Sequence, residues 1–473
     1  MTGRRGPGID LHVDIGTGAG SRARSIEAAL RKAVESGRLA AGTRLPGTRG
    51  LADDLGVARG TVVEAYTQLT AEGWLVSVAG SGTRVAETRP SSTQAGPHAP
   101  VQDLPARHLI DLRPGRPDLS LFPRALWAAG VRRVLATVDY RSMDYGDPAG
   151  LPALREAVAT YVSRARGVQA DARSVVITSG FAHGLALLTR ALGCSGIDTI
   201  ATEDPGLVRH RQIIRAGGLA TSPLPVDRQG ADPAGIAPRT GAVLLTPAHQ
   251  HPRGVVLSPA RRAAFLDWAD ARDGFVIEDD YDGEFRYDKR PVGAMQALAP
   301  DRVVFAGSTS KALAPGLRIG WLVVPARLRT PVLDAMAAMG ATVGAPDQLT
   351  LADLLDRGDY DRHVRRARQS YRKRRAELSV RLAAQNDLLL DGVPAGLHTL
   401  LPLSSHHEEK RLLDTGLAAG VRLMGLDAAG YWHSAEHCGG GLVIGYATPP
   451  QHSWRHALDV LARVLHGAAV TGQ

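Results

Sequence analysis

The run Gly307-Ser-Thr-Ser-Lys-Ala-Leu-Ala-Pro-Gly-Leu-Arg-Ile-Gly-Trp321 follows a β-prone stretch and gathers an amine, two serine hydroxyls and a guanidinium in one short segment. An aldehyde cofactor needs a lysine for Schiff-base attachment and fixed cations and hydroxyls for its phosphate. Lys311 offers the amine, and Ser308, Ser310 and Arg318 offer the phosphate donors. A second segment, Thr178-Ser-Gly-Phe-Ala-His183, comes after the strand-like Val175 to Ile177 and ahead of a helical stretch. The backbone N–H groups of Gly180, Phe181 and Ala182, together with the helix dipole, would hold a phosphate there. A third, Ile277-Glu-Asp-Asp-Tyr-Asp-Gly-Glu-Phe-Arg-Tyr287, sets an acidic cluster at a strand end. Such a cluster is a cation candidate, but it carries no histidine at ligand spacing, which argues against a metal. A lone lysine in a glycine-rich loop is ordinarily solvated; three separated segments converging on one chemistry carry more weight.

These segments sit in the longer part of the chain. From Ile110 onward, β-prone runs (Val175 to Thr178, Ala242 to Leu245, Phe275 to Ile277, Val303 to Phe305) alternate with helical stretches such as Leu151 to Arg166 and Pro259 to Arg272. That alternation predicts an α/β fold with a mainly parallel sheet covered on both faces. An Arg-rich helical stretch from about Asp353 to Ala383 and a small C-terminal α+β portion follow.

Residues 1–86 read as a separate unit. Apolar positions Ile26, Ala29, Leu30, Ala33 and Val34 fall at helical spacing, with Gly37 as the stop. A second helix fits Thr48 to Leu55 with Thr48 as N-cap, and a third fits Ala58 to Glu72. Two helices across a tight turn make a helix-turn-helix, and the β-prone run Trp74 to Val85, broken at Ala79-Gly-Ser-Gly82, adds a wing. Arg49 could reach a phosphate or a guanine edge. Arg59 and Thr61 open the recognition helix, and Gly80 and Arg84 suit minor-groove or phosphate contact by the wing. Residues 87–107, rich in Pro, Ser, Ala and Gln, read as a flexible linker to the body at 108–473.

The bulk properties agree. A length of 473 residues predicts more than one domain, and a net charge of +9 suits a polyanionic partner such as double-stranded DNA. No window approaches a membrane span and no signal peptide is apparent, so a cytoplasmic location is expected. Cys194 and Cys438 lack a partner motif and are expected to be buried small hydrophobes.

Beyond their chemistry, the segments resemble known families. Residues 45–75 resemble the winged helix of the GntR regulators, with Gly47, Ala58 and Gly60 where that family often has small polar residues. The lysine segment and its companions resemble fold-type I aminotransferases, which bind pyridoxal 5′-phosphate (PLP). The resemblance implies that Asp279 faces the pyridine nitrogen and Tyr281 the ring 3′-oxygen. It also places His251, in Thr246 to Gly254, where aminotransferases commonly have Asn. Asp144-Tyr-Gly-Asp-Pro-Ala-Gly150 resembles a turn whose tyrosine reaches the neighbouring subunit's phosphate, so Tyr145 implies a head-to-tail homodimer.

Both halves in this order resemble the MocR/GabR subfamily of GntR regulators, in which the aminotransferase-like domain senses an effector and dimerises. Two departures stand out. Aminotransferases carry a C-terminal arginine that clamps the substrate carboxylate, yet between Arg422 and Arg455 there is neither Arg nor Lys. Leu207 stands where a tyrosine is common, although Arg209 could still hold an anionic effector group. These losses imply a sensor rather than an enzyme, with PLP itself as the effector and vitamin B6 synthesis as the controlled pathway, as in the PdxR type. An amino-acid or amine sensor, and an active PLP aminotransferase with a DNA-binding appendage, remain the alternatives.

Overall fold

The computed structural model describes residues 22–78, 82–86, 109–287, 292–340, 342–384, 389–434 and 439–470, the last four without their side chains. The chain divides into two compact units, Met1–Leu104 and Pro105–Gln473. The linker expected at 87–107 and the wing tip with Gly80 lie outside the described residues.

Among its described residues the first unit has three helices, α1 (Arg22–Glu35), α2 (Thr48–Leu55) and α3 (Arg59–Ala71), then an antiparallel hairpin of β1 (Leu75–Val78) and β2 (Gly82–Val85). Ile26 and Leu30 from α1, Leu51 from α2, and Val62, Ala65 and Leu69 from α3 interlock with Leu75 and Val85. Each buried Ile, Leu or Val among them contributes about 1.5–3 kcal/mol. Thr48 is not the cap of α2: Gly47 holds that position, and neither it nor Ala58, the N-cap of α3, makes a side-chain capping bond. The small residues noted at 47 and 58 thus cost both helices their N-terminal caps.

The second unit runs β3 (Ile110–Asp111), α4 (Arg124–Thr137), α5 (Pro152–Arg166), β4 (Val175–Thr178), α6 (Phe181–Cys194), β5 (Thr199–Asp204), α7 (Val208–Ala216), β6 (Ala220–Asp227), β7 (Gly230–Ala231), β8 (Ala242–Leu245), α8 (Pro259–Ala271), β9 (Phe275–Asp279), β10 (Val303–Ser308), β11 (Gly320–Val323), α9 (Ala326–Met339), α10 (Ala345–Asp356), α11 (Asp359–Ala383), β12 (Thr399–Leu403), α12 (His406–Ala418), β13 (Val421–Arg422), β14 (Gly440–Ile444) and α13 (Trp454–Val470).

Its main sheet has the order β4-β11-β10-β9-β8-β5-β6-β7. The strands from β10 to β6 pair in parallel, while β11 runs against both neighbours and β7 against β6. Alternation along β4 sends Val176 into one apolar cluster with α6 and α9, and Val175 and Ile177 into another with α5 and α11. Both faces are therefore covered, and the C-terminal ends of the parallel strands stay open to one edge, where ligands of such sheets bind.

The helical stretch expected from Asp353 to Ala383 is two helices. Gly358, at φ 67°, breaks it by taking the left-handed conformation. Cys194 ends α6 exposed rather than buried, and Cys438 lies outside the described residues. No described helix is long and apolar enough to cross a membrane.

Candidate functional site

A cavity of about 310 Å³ opens at the C-terminal ends of β4, β5, β8, β9 and β10. It collects Phe181, Ala182, His251, Asp279, Tyr281, Ser308, Ser310, Lys311 and Arg318 from segments far apart in sequence. Gly180 caps the helix that bears the first two. The sequence-predicted cofactor residues thus converge, with one exception. Tyr145 is fully exposed and lines a different groove, beside Gly340 and Pro346.

The acidic run shows why Asp279 is the member free to act. Glu278 accepts the backbone N–H groups of Met295 and Gln296 at 3.0 and 3.1 Å. Asp280 forms a bidentate pair with buried Arg166 at 2.7 and 2.8 Å, and Asp282 Oδ2 lies 2.9 Å from His249 Nδ1. Asp279 Oδ1 is buried without any partner, while Oδ2 lies 4.0 Å from His210 Nε2. Burial pushes the Asp279 carboxyl well above the usual range, against the opposing pull of Lys311. A buried carboxyl with an orphaned oxygen needs a donor, and a ligand N–H would supply it.

Across the cavity, Lys311 Nζ donates to the Gly115 carbonyl at 2.7 Å, and burial lowers its pKa below that of a free lysine. Next to it is an anion cradle. Gly180 caps α6 at φ +84°, and Arg318, itself left-handed at φ +53°, donates from Nη2 to the Ser179 carbonyl. A Cβ at Gly180 would lie 3.2 Å from that guanidinium. Ser310 N donates to Ser308 Oγ at 3.4 Å in the same loop. The first N–H groups of α6 have no intrahelical acceptor, so the cradle combines a helix terminus, a guanidinium and two hydroxyls.

Beside His251, which the sequence pointed to, the walls hold His210, His398 and Tyr431, which sequence reasoning missed. His210 packs on Phe181 with ring centroids 5.1 Å apart, and burial beside Lys311 pushes its pKa down to about 3, so it is neutral. His251 Nε2 meets the Tyr431 hydroxyl at 3.0 Å, and burial holds His251 far below its usual value. His398 sits against His251, its ring centroid 4.3 Å away. His249 lies inside Thr246 to Gly254 and His210 next to Arg209, both noted from the sequence; His398 and Tyr431 come from the small C-terminal portion and had no local signal.

The expectation that no histidine stands at ligand spacing to the acidic cluster is true only along the chain. The fold brings His249 and His398 to Asp282, with ligating atoms within 4.8 Å of one another.

Among the described residues lining the cavity, Arg318 is the sole arginine and Lys311 the sole lysine; Leu207, Leu397 and Met424 supply apolar wall. Arg209 is exposed on α7 and is not part of this lining. Arg211 turns inward instead and donates to the carbonyls of Gly206, Gly430, Tyr431 and Trp432, tying α7 to the 430–432 segment.

In the first unit Arg49 and Arg59 are exposed near the starts of α2 and α3, and Thr61 is half-buried. Arg84 donates from Nη1 to the Gly42 carbonyl at 3.1 Å, which braces the wing.

A winged helix followed by a PLP-type α/β domain defines a two-part regulator built on an aminotransferase fold. Residues 22–85 match the gntR family of bacterial regulatory proteins, and residues 108–418 match aminotransferase class I and II. Over most of its length the chain is similar to three HTH-type regulators. They are YhdI of Bacillus subtilis (33% identity; 83% of this chain, 86% of the relative), the pyridoxine biosynthesis regulator PdxR of Corynebacterium glutamicum (31%; 91% and 92%), and the probable rhizopine catabolism regulatory protein MocR of Rhizobium meliloti (32%; 91% and 91%). Solved structures share the fold of the second unit. An archaeal alanine:glyoxylate aminotransferase superposes with a TM-score of 0.68 at 24% identity (75% of this chain, 90% of that one), and the α-aminoadipate aminotransferase LysN of Thermus thermophilus with 0.68 at 21% (77% and 93%). The chain belongs to the MocR/GabR subfamily of GntR transcription regulators.

Proposed function

We propose that this chain is a DNA-binding regulator that binds PLP on Lys311, senses it, and controls genes of vitamin B6 synthesis. The observation that carries the reading is the lining of the cavity. The cofactor's needs are met: an amine, an orphaned buried carboxyl oxygen for the ring N–H, and an anion cradle at Gly180, Phe181, Ala182, Ser308, Ser310 and Arg318. No second guanidinium stands among the described lining residues to hold an amino-acid carboxylate. PLP supplies an aldehyde carbon and an electron-withdrawing ring; this chain's residues supply the anchor, the phosphate cradle and the neutral histidine wall. The similarity to PdxR supports the pathway.

We assign Tyr145, which is exposed and does not line its own chain's cavity, to the neighbouring subunit of a head-to-tail homodimer in the cytoplasm. Arg49, Arg59, Thr61, Gly80 and Arg84 are assigned to DNA. Lys311 and Asp279 together favour a second reading, residual transaminase activity.

The test is operator binding by apo and PLP-loaded protein, with and without amino acids. A change of affinity on loading alone is expected, since an effector indifferent to the two states shifts nothing. Equal affinity of the two forms would remove the sensor reading, and a response that requires an amino acid would replace PLP as the effector.

A further inference from the structure

Behind Tyr281 stands a buried pair that the cofactor contacts do not use. Asp282 Oδ2 lies 2.9 Å from His249 Nδ1, and the Tyr281 hydroxyl lies 3.1 Å from the same nitrogen while donating to the His249 carbonyl at 2.9 Å. Asp282 and His249 are each 3% exposed or less at the side chain. Gly396, at φ +70°, closes over them, and a Cβ there would lie 2.3 Å from Asp282 Oδ2 and 2.4 Å from His249 Nδ1. The spacing of His249, Asp282 and His398 would also suit a cation, but the His249 and Asp282 atoms are already bonded to each other and to Tyr281, so the arrangement is a hydrogen-bond relay.

We propose that Asp282 and His249 are positioning residues that act on the cofactor through Tyr281. The Asp282 carboxylate accepts the Nδ1 proton and so fixes the His249 tautomer. The same Nδ1–H, shared between Asp282 Oδ2 and the Tyr281 hydroxyl oxygen, gives the phenol its donor, and the His249 backbone carbonyl accepts the phenol's proton. Held at both, the phenol has a single hydrogen to turn from the His249 carbonyl to an arriving ring oxygen, and its own oxygen stays anchored. Without the relay the phenol is free to point elsewhere, and the contact with the ring oxygen weakens. The device rests on the PLP reading above and sets how readily the Lys311-bound cofactor takes up a proton. Asp282 also reaches the Tyr281 hydroxyl directly, and Asp279, Glu203, Lys311, His251 and His398 face it as well, so charge alone has to be separated from positioning.

The separation comes from signs. A hydrogen bond from Tyr281 to the ring oxygen stabilises the deprotonated cofactor, so Tyr281→Phe should raise the pH midpoint of the visible absorbance by roughly one unit. Asp282→Asn removes a nearby negative charge, which by electrostatics alone lowers that midpoint. If Asp282 acts through Tyr281, the midpoint instead rises towards the Tyr281→Phe value, and the double variant goes no higher than Tyr281→Phe alone. His249→Phe, which keeps the ring volume and removes the Nδ1 donor, should behave as Asp282→Asn does and serves where that variant does not fold. A midpoint that falls or stays fixed in both relay variants, or shifts that add in the double variant, overturns the relay. Absence of the visible band from the unsubstituted full-length protein overturns the cofactor reading itself, and the relay with it.

Discussion

Gly180 and Arg318 meet backbone to side chain: both residues have positive φ, and the guanidinium lies 3.2 Å from where a Cβ on Gly180 would be. The contact joins the end of β4 to the loop before β11, and it gives the cradle its shape. Arg318, a non-glycine residue at positive φ, costs of order 1–3 kcal/mol, which folding elsewhere must offset, whereas Gly180 adopts its φ without that penalty.

Gly180→Ala should therefore weaken PLP binding without unfolding the domain. The substitution strains the backbone at φ +84° and makes the Arg318 guanidinium, 3.2 Å from the added Cβ, shift within the anion site. An affinity loss of tenfold or more is expected, equivalent to about 1.4 kcal/mol. Titration of apo protein with PLP, followed by absorbance, measures it, and an unchanged dissociation constant would refute the cradle.

Lys311→Ala should abolish the visible absorbance of the loaded protein while leaving the far-ultraviolet circular dichroism intact. Lys311 is the one amine lining the cavity among the described residues, so no neighbour can take over its attachment. Persistence of the band in the variant would mean that another group holds the aldehyde.

The sequence displayed the parts of this site that depend on local spacing. Lys311, Ser308 and Arg318 share one loop, Gly180 and Phe181 one strand-to-helix turn, and Asp279 one strand end, so each segment carries its own signature. His398 and Tyr431 had none, because their place at the cavity arises from the packing of the C-terminal portion against the main sheet. Arg209 and Arg211 show the limit from the other side. Two arginines two residues apart on one helix look equivalent in sequence, yet the turn of α7 exposes the first and buries the second against four carbonyls. The helix break at Gly358 was likewise hidden inside an otherwise continuous Arg-rich pattern.

Arg59→Ala should weaken operator binding while leaving the visible absorbance unchanged. The side chain is exposed at the first residue of α3, next to half-buried Thr61. Loss of a base contact at this position costs about 1–3 kcal/mol. Loss of a phosphate contact instead lowers the slope of log affinity against log salt by about one. Binding measured over a series of salt concentrations distinguishes the two, and affinity and slope both equal to those of the unsubstituted protein would exclude α3 as the reading helix.

Glu203 gives a pH signature of the second unit. Its carboxyl, on the next-to-last residue of β5, is buried, accepts from the Thr246 N–H at 3.1 Å and from the Thr246 hydroxyl, and is raised by burial from 4.5 to about 7. Because the folded pKa is raised, the folded state holds a proton that the unfolded chain has released between about pH 4.5 and 7. Stability contributed by this group is therefore fully present below the unfolded value, falls as pH rises through that window, and stays level above it. Glu203→Gln removes the titration. Its unfolding free energy should decline less steeply than that of the unsubstituted protein across the window, the gap widening towards pH 7 and then holding constant. Glu278 and Glu284, also raised to about 7, keep the remaining slope in both proteins. Denaturant unfolding at closely spaced pH values reads the difference, and parallel curves for the two proteins would show that Glu203 does not hold its proton in the folded state.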